Sequence, residues 1–241
     1  MAAPFDLCTT MPDLLPAAGE TRTEMIRGPA GLIETSFAGP RPVGTTSLAE
    51  PGYALICHPH PLMGGALSNK VVYTLASCAQ KAGLYALRFN FRGVGRSEGL
   101  HDEGRGETED TVFLANWLRE RVPQGPLVLM GFSFGAWVST NAAAQLAPAA
   151  QVSIAPPFAK YFDHMPKPKR PPCPWLVVHS TDDEVVEYGA SRAMLETYDP
   201  PPQLTTFEGA GHFFHGRLND LSDVVLPFLQ AQLGAASAPP R

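Results

Sequence analysis

Two serines stand in the spacing G-x-S-x-G. One is Ser97 in Gly95-Arg96-Ser97-Glu98-Gly99, the other Ser133 in Gly131-Phe132-Ser133-Phe134-Gly135. A serine hydroxyl is a weak nucleophile until a base takes its proton. This spacing suits a sharp strand-to-helix turn that lifts the hydroxyl above a sheet, with glycines where the turn leaves no room for side chains. Ser133 follows the apolar run Leu127–Met130 and precedes the helix-forming stretch from Ala136 to Ala144. Ser97 is followed by Gly99, Gly104 and Gly106, which keep the chain in a loop. Ser133 is therefore the candidate nucleophile, and its chemistry would be attack on an acyl carbonyl.

Such a serine needs a base and a carboxylate that orients the base. The apolar strand Trp175–His179 runs into Ser180-Thr181-Asp182-Asp183, which places two competing carboxylates at its carboxyl end. After the strand Leu204–Phe207, the glycine-rich segment Glu208-Gly209-Ala210-Gly211 carries His212 back toward the serine. His215 falls where the last helix begins and is the lesser candidate. An oxyanion needs two N–H donors, one expected from Phe134, the residue after the nucleophile. The second is expected from the loop His58-Pro59-His60-Pro61-Leu62-Met63-Gly64-Gly65. Prolines have no N–H, which leaves His60 first and Leu62 second. Phe132 and Phe213 would put aromatic surface beside the site for substrate binding, although Phe132 could equally pack the elbow. An H-x-H metal reading of His58 and His60 lacks a nearby third ligand, so no metal and no organic cofactor is expected.

Positioning these residues requires alternating strands and helices. Thr21–Arg27 and Leu32–Ala38 flank Gly28-Pro29-Ala30-Gly31 and predict a hairpin at a sheet edge. Tyr53–Cys57 is continuously apolar, like a strand buried on both faces. Further strands are predicted at Tyr85–Phe91, Leu127–Met130, Gln151–Ile154, Trp175–His179 and Leu204–Phe207. Helices are predicted at Asn69–Ala82, Glu107–Arg121, Phe134–Leu146, Ser191–Tyr198 and Leu218–Leu233. The fold class is α/β: a mostly parallel sheet with helices on both faces and no separate lid domain. Residues 1–20 read as an N-terminal extension, 21–233 as one catalytic domain and 234–241 as a flexible tail. Pro156–Pro174 reads as a stiff surface loop.

The chain has 241 residues and a formal net charge of −5. It offers no long-range positive field for nucleic acid or an anionic membrane. Lys167-Pro168-Lys169-Arg170 reads as a solvated loop. Four scattered cysteines, Cys8, Cys57, Cys78 and Cys173, suggest reduced thiols. The first 20 residues lack the charged and apolar regions of a signal peptide, and no run is apolar enough to span a bilayer, so a cytoplasmic location is expected. Monomer and homodimer both stay open, since an edge strand could pair with a second chain.

From about Arg22 to Leu233 the chain resembles the α/β-hydrolase superfamily, and within it the small, lidless, dienelactone-hydrolase-related bacterial serine hydrolases. The similar segments are His58-Pro59-His60-Pro61…Gly64-Gly65, Ser68–Val72, Leu87–Ser97, the Ser133 elbow and Gly211–Gly216. The resemblance implies an acid in a pattern like G-x-x-D-x-x-V, which selects Asp183 over Asp182, with Ser180 in place of the glycine. It also implies that Arg92–Ser97 is scaffold. The implied activity is hydrolysis of small or short-acyl carboxylic esters through an acyl-enzyme. The alternatives are an acyltransferase, amidase, or lactone or C–C bond hydrolase using the same triad, or a non-catalytic binding module.

Overall fold

The computed structural model describes residues 15–43, 51–159 and 167–236. Cys8, most of the N-terminal extension, the middle of the Pro156–Pro174 loop and residues 237–241 lie outside them.

Eight strands form one sheet: β1 (Thr21–Gly28), β2 (Gly31–Ala38), β3 (Tyr53–Cys57), β4 (Tyr85–Phe89), β5 (Leu127–Phe132), β6 (Ala150–Ile154), β7 (Trp175–Ser180) and β8 (Gln203–Phe207). Their spatial order is β1-β2-β4-β3-β5-β6-β7-β8. Gly28 and Gly31 face each other across the Pro29-Ala30 turn of the β1–β2 hairpin. β2 pairs antiparallel with β4, and every pairing from β4 to β8 is parallel. β3, β5, β6 and β7 are buried along their whole length, as central strands covered on both faces must be, and the polar Gln151 and Ser153 of β6 are hydrogen-bonded to each other at 3.2 Å.

Helices α1 (Lys70–Lys81) and α5 (Leu218–Ala236) pack on one face through residues such as Val72, Leu75, Leu221 and Leu229. Helices α2 (Arg105–Arg121) and α3 (Phe134–Leu146) cover the other through Leu114, Leu118, Trp137 and Val138, with Leu195 of α4 (Tyr188–Leu195) in the same core.

The differences from the sequence pattern have local causes. β4 stops at Phe89, two residues early, because the Phe91 N–H donates to His58 Nε2 at 3.0 Å instead of continuing the ladder. α2 starts two residues early because Glu107 is not its first residue but the third. Its carboxylate reaches back to accept the Gly104 N–H at 2.8 Å. α4 is shifted toward the N-terminus because Glu187 caps it, accepting from the Gly189 and Ala190 amides. α5 continues through Ala236, so residues 234–236 extend a helix where a frayed tail is predicted.

The chain passes from β3 to β4 on one side and from α2 to β5 on the other, so the carboxyl ends of β3 and β5 flank the point where the strand order reverses. A crevice opens at such a switch point, and ligands bind there. The His58–Gly65 loop leaves β3 at this crevice, and Ser133 leaves β5 beside it.

Candidate active site

Ser133 sits between β5 and α3 with φ 54° and ψ −122°, a left-handed conformation for a residue with a Cβ. Such strain costs about 1–3 kcal/mol and persists only where the surroundings enforce it. Here the Ser133 N–H is held by Ile154 O of β6 at 2.8 Å. A Cβ on Gly131 would stand 2.1 Å from Gly135 O, and one on Gly135 would stand 2.3 Å from Cys57 O. The two glycines therefore let the turn close on itself and on β3. Ser97, the other candidate of the same spacing, is tied down as scaffold: its hydroxyl donates to Asn90 O at 2.7 Å and accepts from the Glu34 N–H at 2.9 Å.

Asp183 follows β7, and its Oδ2 lies 2.8 Å from His212 Nδ1. Oδ1 accepts the Val185 and Val186 amides at 2.8 and 2.7 Å. Its side chain is fully buried. Burial works against the carboxylate's charge, but hydrogen bonds from His179, His212 and the Val186 amide outweigh it and hold the pKa well below the usual range. An ionised Asp183 fixes the Nδ1–H tautomer of His212 and leaves Nε2 as the basic nitrogen. Asp182, the competing carboxylate, is exposed and turned away, accepting from Ser180 Oγ at 2.6 Å and the Gly209 amide at 2.9 Å.

His212 is buried. Its own N–H donates to Glu184 Oε2 at 3.0 Å, and its ring lies 4.9 Å from the Phe132 ring and 5.0 Å from the Phe213 ring. Phe132 is wholly buried, so it braces His212 from below and offers no surface to a substrate, a correction to its expected binding role. Phe213 is 40% exposed and does face outward. His215 lies in the turn before α5, with its ring 5.8 Å from Phe213.

Of the two possible second amide donors, Leu62 is engaged: its N–H donates to His60 Nδ1 at 3.2 Å and caps the short 3-10 turn Pro61–Met63. That counts against Leu62; the ring of His60, the other candidate, lies 4.9 Å from that of Phe134. His58 is structural. Its Nδ1–H donates to Pro59 O at 2.6 Å and its Nε2 accepts from Phe91, so neither nitrogen is available to a metal. No cluster of three potential ligands occurs among the described residues.

Burial pushes the His58 pKa down to about 3. Unfolded, it would titrate near ~6.5. Between those values the unfolded state binds the extra proton, so His58 contributes stability that is complete above the upper value and lost as pH falls toward the lower. Urea unfolding of the wild type should therefore weaken from pH 6.5 to pH 4 by on the order of 1 kcal/mol per pH unit more than that of His58→Gln. Parallel stability curves would assign the slope to other groups.

Three supporting residues escape detection in the sequence. His179, at the end of β7, is buried with Nε2 3.3 Å from Asp183 Oδ2 and 3.0 Å from Val186 O. A histidine in an apolar strand reads as core, and only its four-residue offset from Asp183 hints otherwise. Glu184 anchors the His212 backbone. Glu107, also buried, accepts from His101 Nδ1 at 2.8 Å and sets that ring 5.6 Å from Phe134.

A left-handed serine elbow, a carboxylate-held histidine and a switch-point crevice on this sheet order define an α/β serine hydrolase architecture. The chain belongs to the α/β-hydrolase superfamily, with its small lidless bacterial serine hydrolases, and the pattern of the alpha/beta hydrolase fold family matches residues 55–167. It is similar to XC6422 from Xanthomonas campestris, described as an α/β serine hydrolase without lid: 37% identity, TM-score 0.80, covering 94% of this chain and 99% of that one. An α/β serine hydrolase homologue from Coxiella burnetii shares 38% identity with TM-score 0.78, covering 86% and 97%. The uncharacterized protein RP471 of Rickettsia prowazekii is 31% identical over 212 residues, 84% of this chain and 86% of its own. Among the described residues no helix is long and apolar enough to cross a membrane.

Proposed function

We propose that the protein hydrolyses carboxylic esters of small or short-acyl substrates through an acyl-enzyme on Ser133. The observation that carries this reading is the 2.8 Å Asp183–His212 hydrogen bond at the same sheet edge as the strained Ser133 turn. Ser133 Oγ attacks the ester carbonyl while His212 Nε2 takes its proton. Asp183 stabilises the imidazolium that forms and keeps its orientation. The Phe134 and His60 amides receive the developing oxyanion. His212 then returns the proton to the leaving alcohol. Water, deprotonated in turn by His212, attacks the acyl carbonyl and frees the acid and Ser133. Every step uses side chains and backbone of this chain, and no cofactor enters.

Kinetics with 4-nitrophenyl esters from acetate to palmitate test the substrate class. The expected profile peaks at two to six acyl carbons and falls steeply at longer chains. A maximum beyond ten carbons overturns the short-acyl assignment, and products carrying an added alcohol or amine in place of water would make the protein an acyltransferase.

A further inference from the structure

Beside the His212 loop lies a cavity of about 330 Å³. Gly64 bounds it on the side of the His60 loop, Phe213 and His215 on the side of the His212 loop, and Ser68 and Lys70 at the start of α1. The Phe213 ring that walls it also touches the His212 and Phe132 rings, so whatever fills the cavity lies next to the proposed base. Its volume is at the small end for a ligand pocket.

The positive charge of Lys70 beside it is uncompensated. No aspartate or glutamate lines the cavity. Among the described residues the Lys70 ammonium makes no ion pair or hydrogen bond, and the His215 ring makes no hydrogen bond. Nearby cations are already committed: Arg217 pairs with Asp220, and Arg88 donates to Leu67 O and Ser36 Oγ. The end of α1 is itself satisfied, because Asn69 Oδ1 accepts the Val71 and Val72 amides. The cavity's distinctive chemistry is therefore its side-chain donors, Lys70, His215 and the Ser68 hydroxyl. With a net charge of −5 the molecule as a whole repels anions, so any anion must be held locally, within the ~8 Å reach of unscreened charge.

We propose that this cavity is a subsite for an anionic group, a carboxylate or phosphate, carried by the ester. Lys70 supplies the charge, His215 and the Ser68 hydroxyl supply further donors, and Phe213 guides the connecting chain toward His212. This deepens the ester-hydrolase reading and rests on it.

Two matched ester pairs test it and separate the two sources of charge. 4-Nitrophenyl hydrogen succinate is compared with its methyl ester, and 4-acetoxyphenyl phosphate with 4-methoxyphenyl acetate. For at least one pair, kcat/KM of the wild type should favour the charged member. That preference should fall ~10-fold in Lys70→Gln, further in Lys70→Glu and in part in His215→Ala. Lys70 is exposed at the first position of α1, where an acid is favourable, so Lys70→Glu should fold. Arg27→Gln, which removes a distant exposed charge on β1, should keep the wild-type preference. Equal preference in the wild type and Lys70→Glu for both pairs overturns the subsite. If no ester is turned over, the hydrolase reading fails separately, and the subsite is then judged by calorimetric titration with succinate and with inorganic phosphate. Binding lost in Lys70→Glu supports it; no binding, or binding equal in both proteins, overturns it.

Discussion

Ser133→Ala is expected to abolish covalent labelling by a fluorophosphonate probe and to lower kcat for the best ester by at least ~10⁴-fold. The wild-type hydroxyl stands on a backbone turn held by Ile154 O and by the contact of Gly135 with β3, and alanine fits the same space without disturbing either. Unchanged thermal stability, or a slight gain from losing a polar group in a nearly buried position, should accompany the loss of activity. Ser97→Ala is the contrasting variant. It should stay labelled and active but melt earlier, because Ser97 ties the Glu34 amide to Asn90 O. Persistent labelling of Ser133→Ala would falsify the assignment of the nucleophile.

Asp183→Asn should cost nearly as much, about 10⁴-fold in kcat, with KM little altered. The amide is isosteric, but it can present an N–H to His212 Nδ1. The imidazole would then carry its proton on Nε2, where a base is needed. The variant also removes a fully buried carboxylate that accepts two backbone amides and hydrogen-bonds two histidines. Because the folded-state pKa of Asp183 lies below the ordinary value, its ionised form stabilises the wild type above pH ~4 and ceases to do so as pH falls further. The wild type should therefore lose more stability between pH 4.5 and pH 2.5 than Asp183→Asn does. Asp182→Asn, exposed and hydrogen-bonded away from His212, should leave kcat within a few fold of wild type. The reverse result would exchange the roles of the two neighbours.

Much of this arrangement is legible in the sequence because each part has a local signature. Most of the buried strands are apolar runs, with Gln151 and Ser153 interrupting β6, and the elbow is a glycine-framed serine between a strand and a helix. What escapes depends on how caps, loops and side chains are arranged in the folded chain. Phe91 looks like strand and leaves the sheet because a histidine 33 residues earlier takes its amide. Glu107 looks like a helix start and is a third-position cap because Gly104 ahead of it adopts φ 92°. Leu62 stands as the second amide-donor candidate in the sequence until the loop folds and the His60 ring claims its N–H. His179 carries no pattern that separates a packing histidine from one paired with Asp183. Phe132 is likewise adjacent to Ser133 in sequence yet wholly buried in the folded chain.

The Ser133 turn is held by neighbours on both sides: β6 through Ile154 and β3 through Cys57, while Asp183 and His212, the proposed acid and base, arrive after β7 and β8. No short piece of the chain therefore contains a working centre. Turnover is a reporter of global cooperativity, and in a denaturant titration catalytic competence and helical circular dichroism should vanish together at one midpoint.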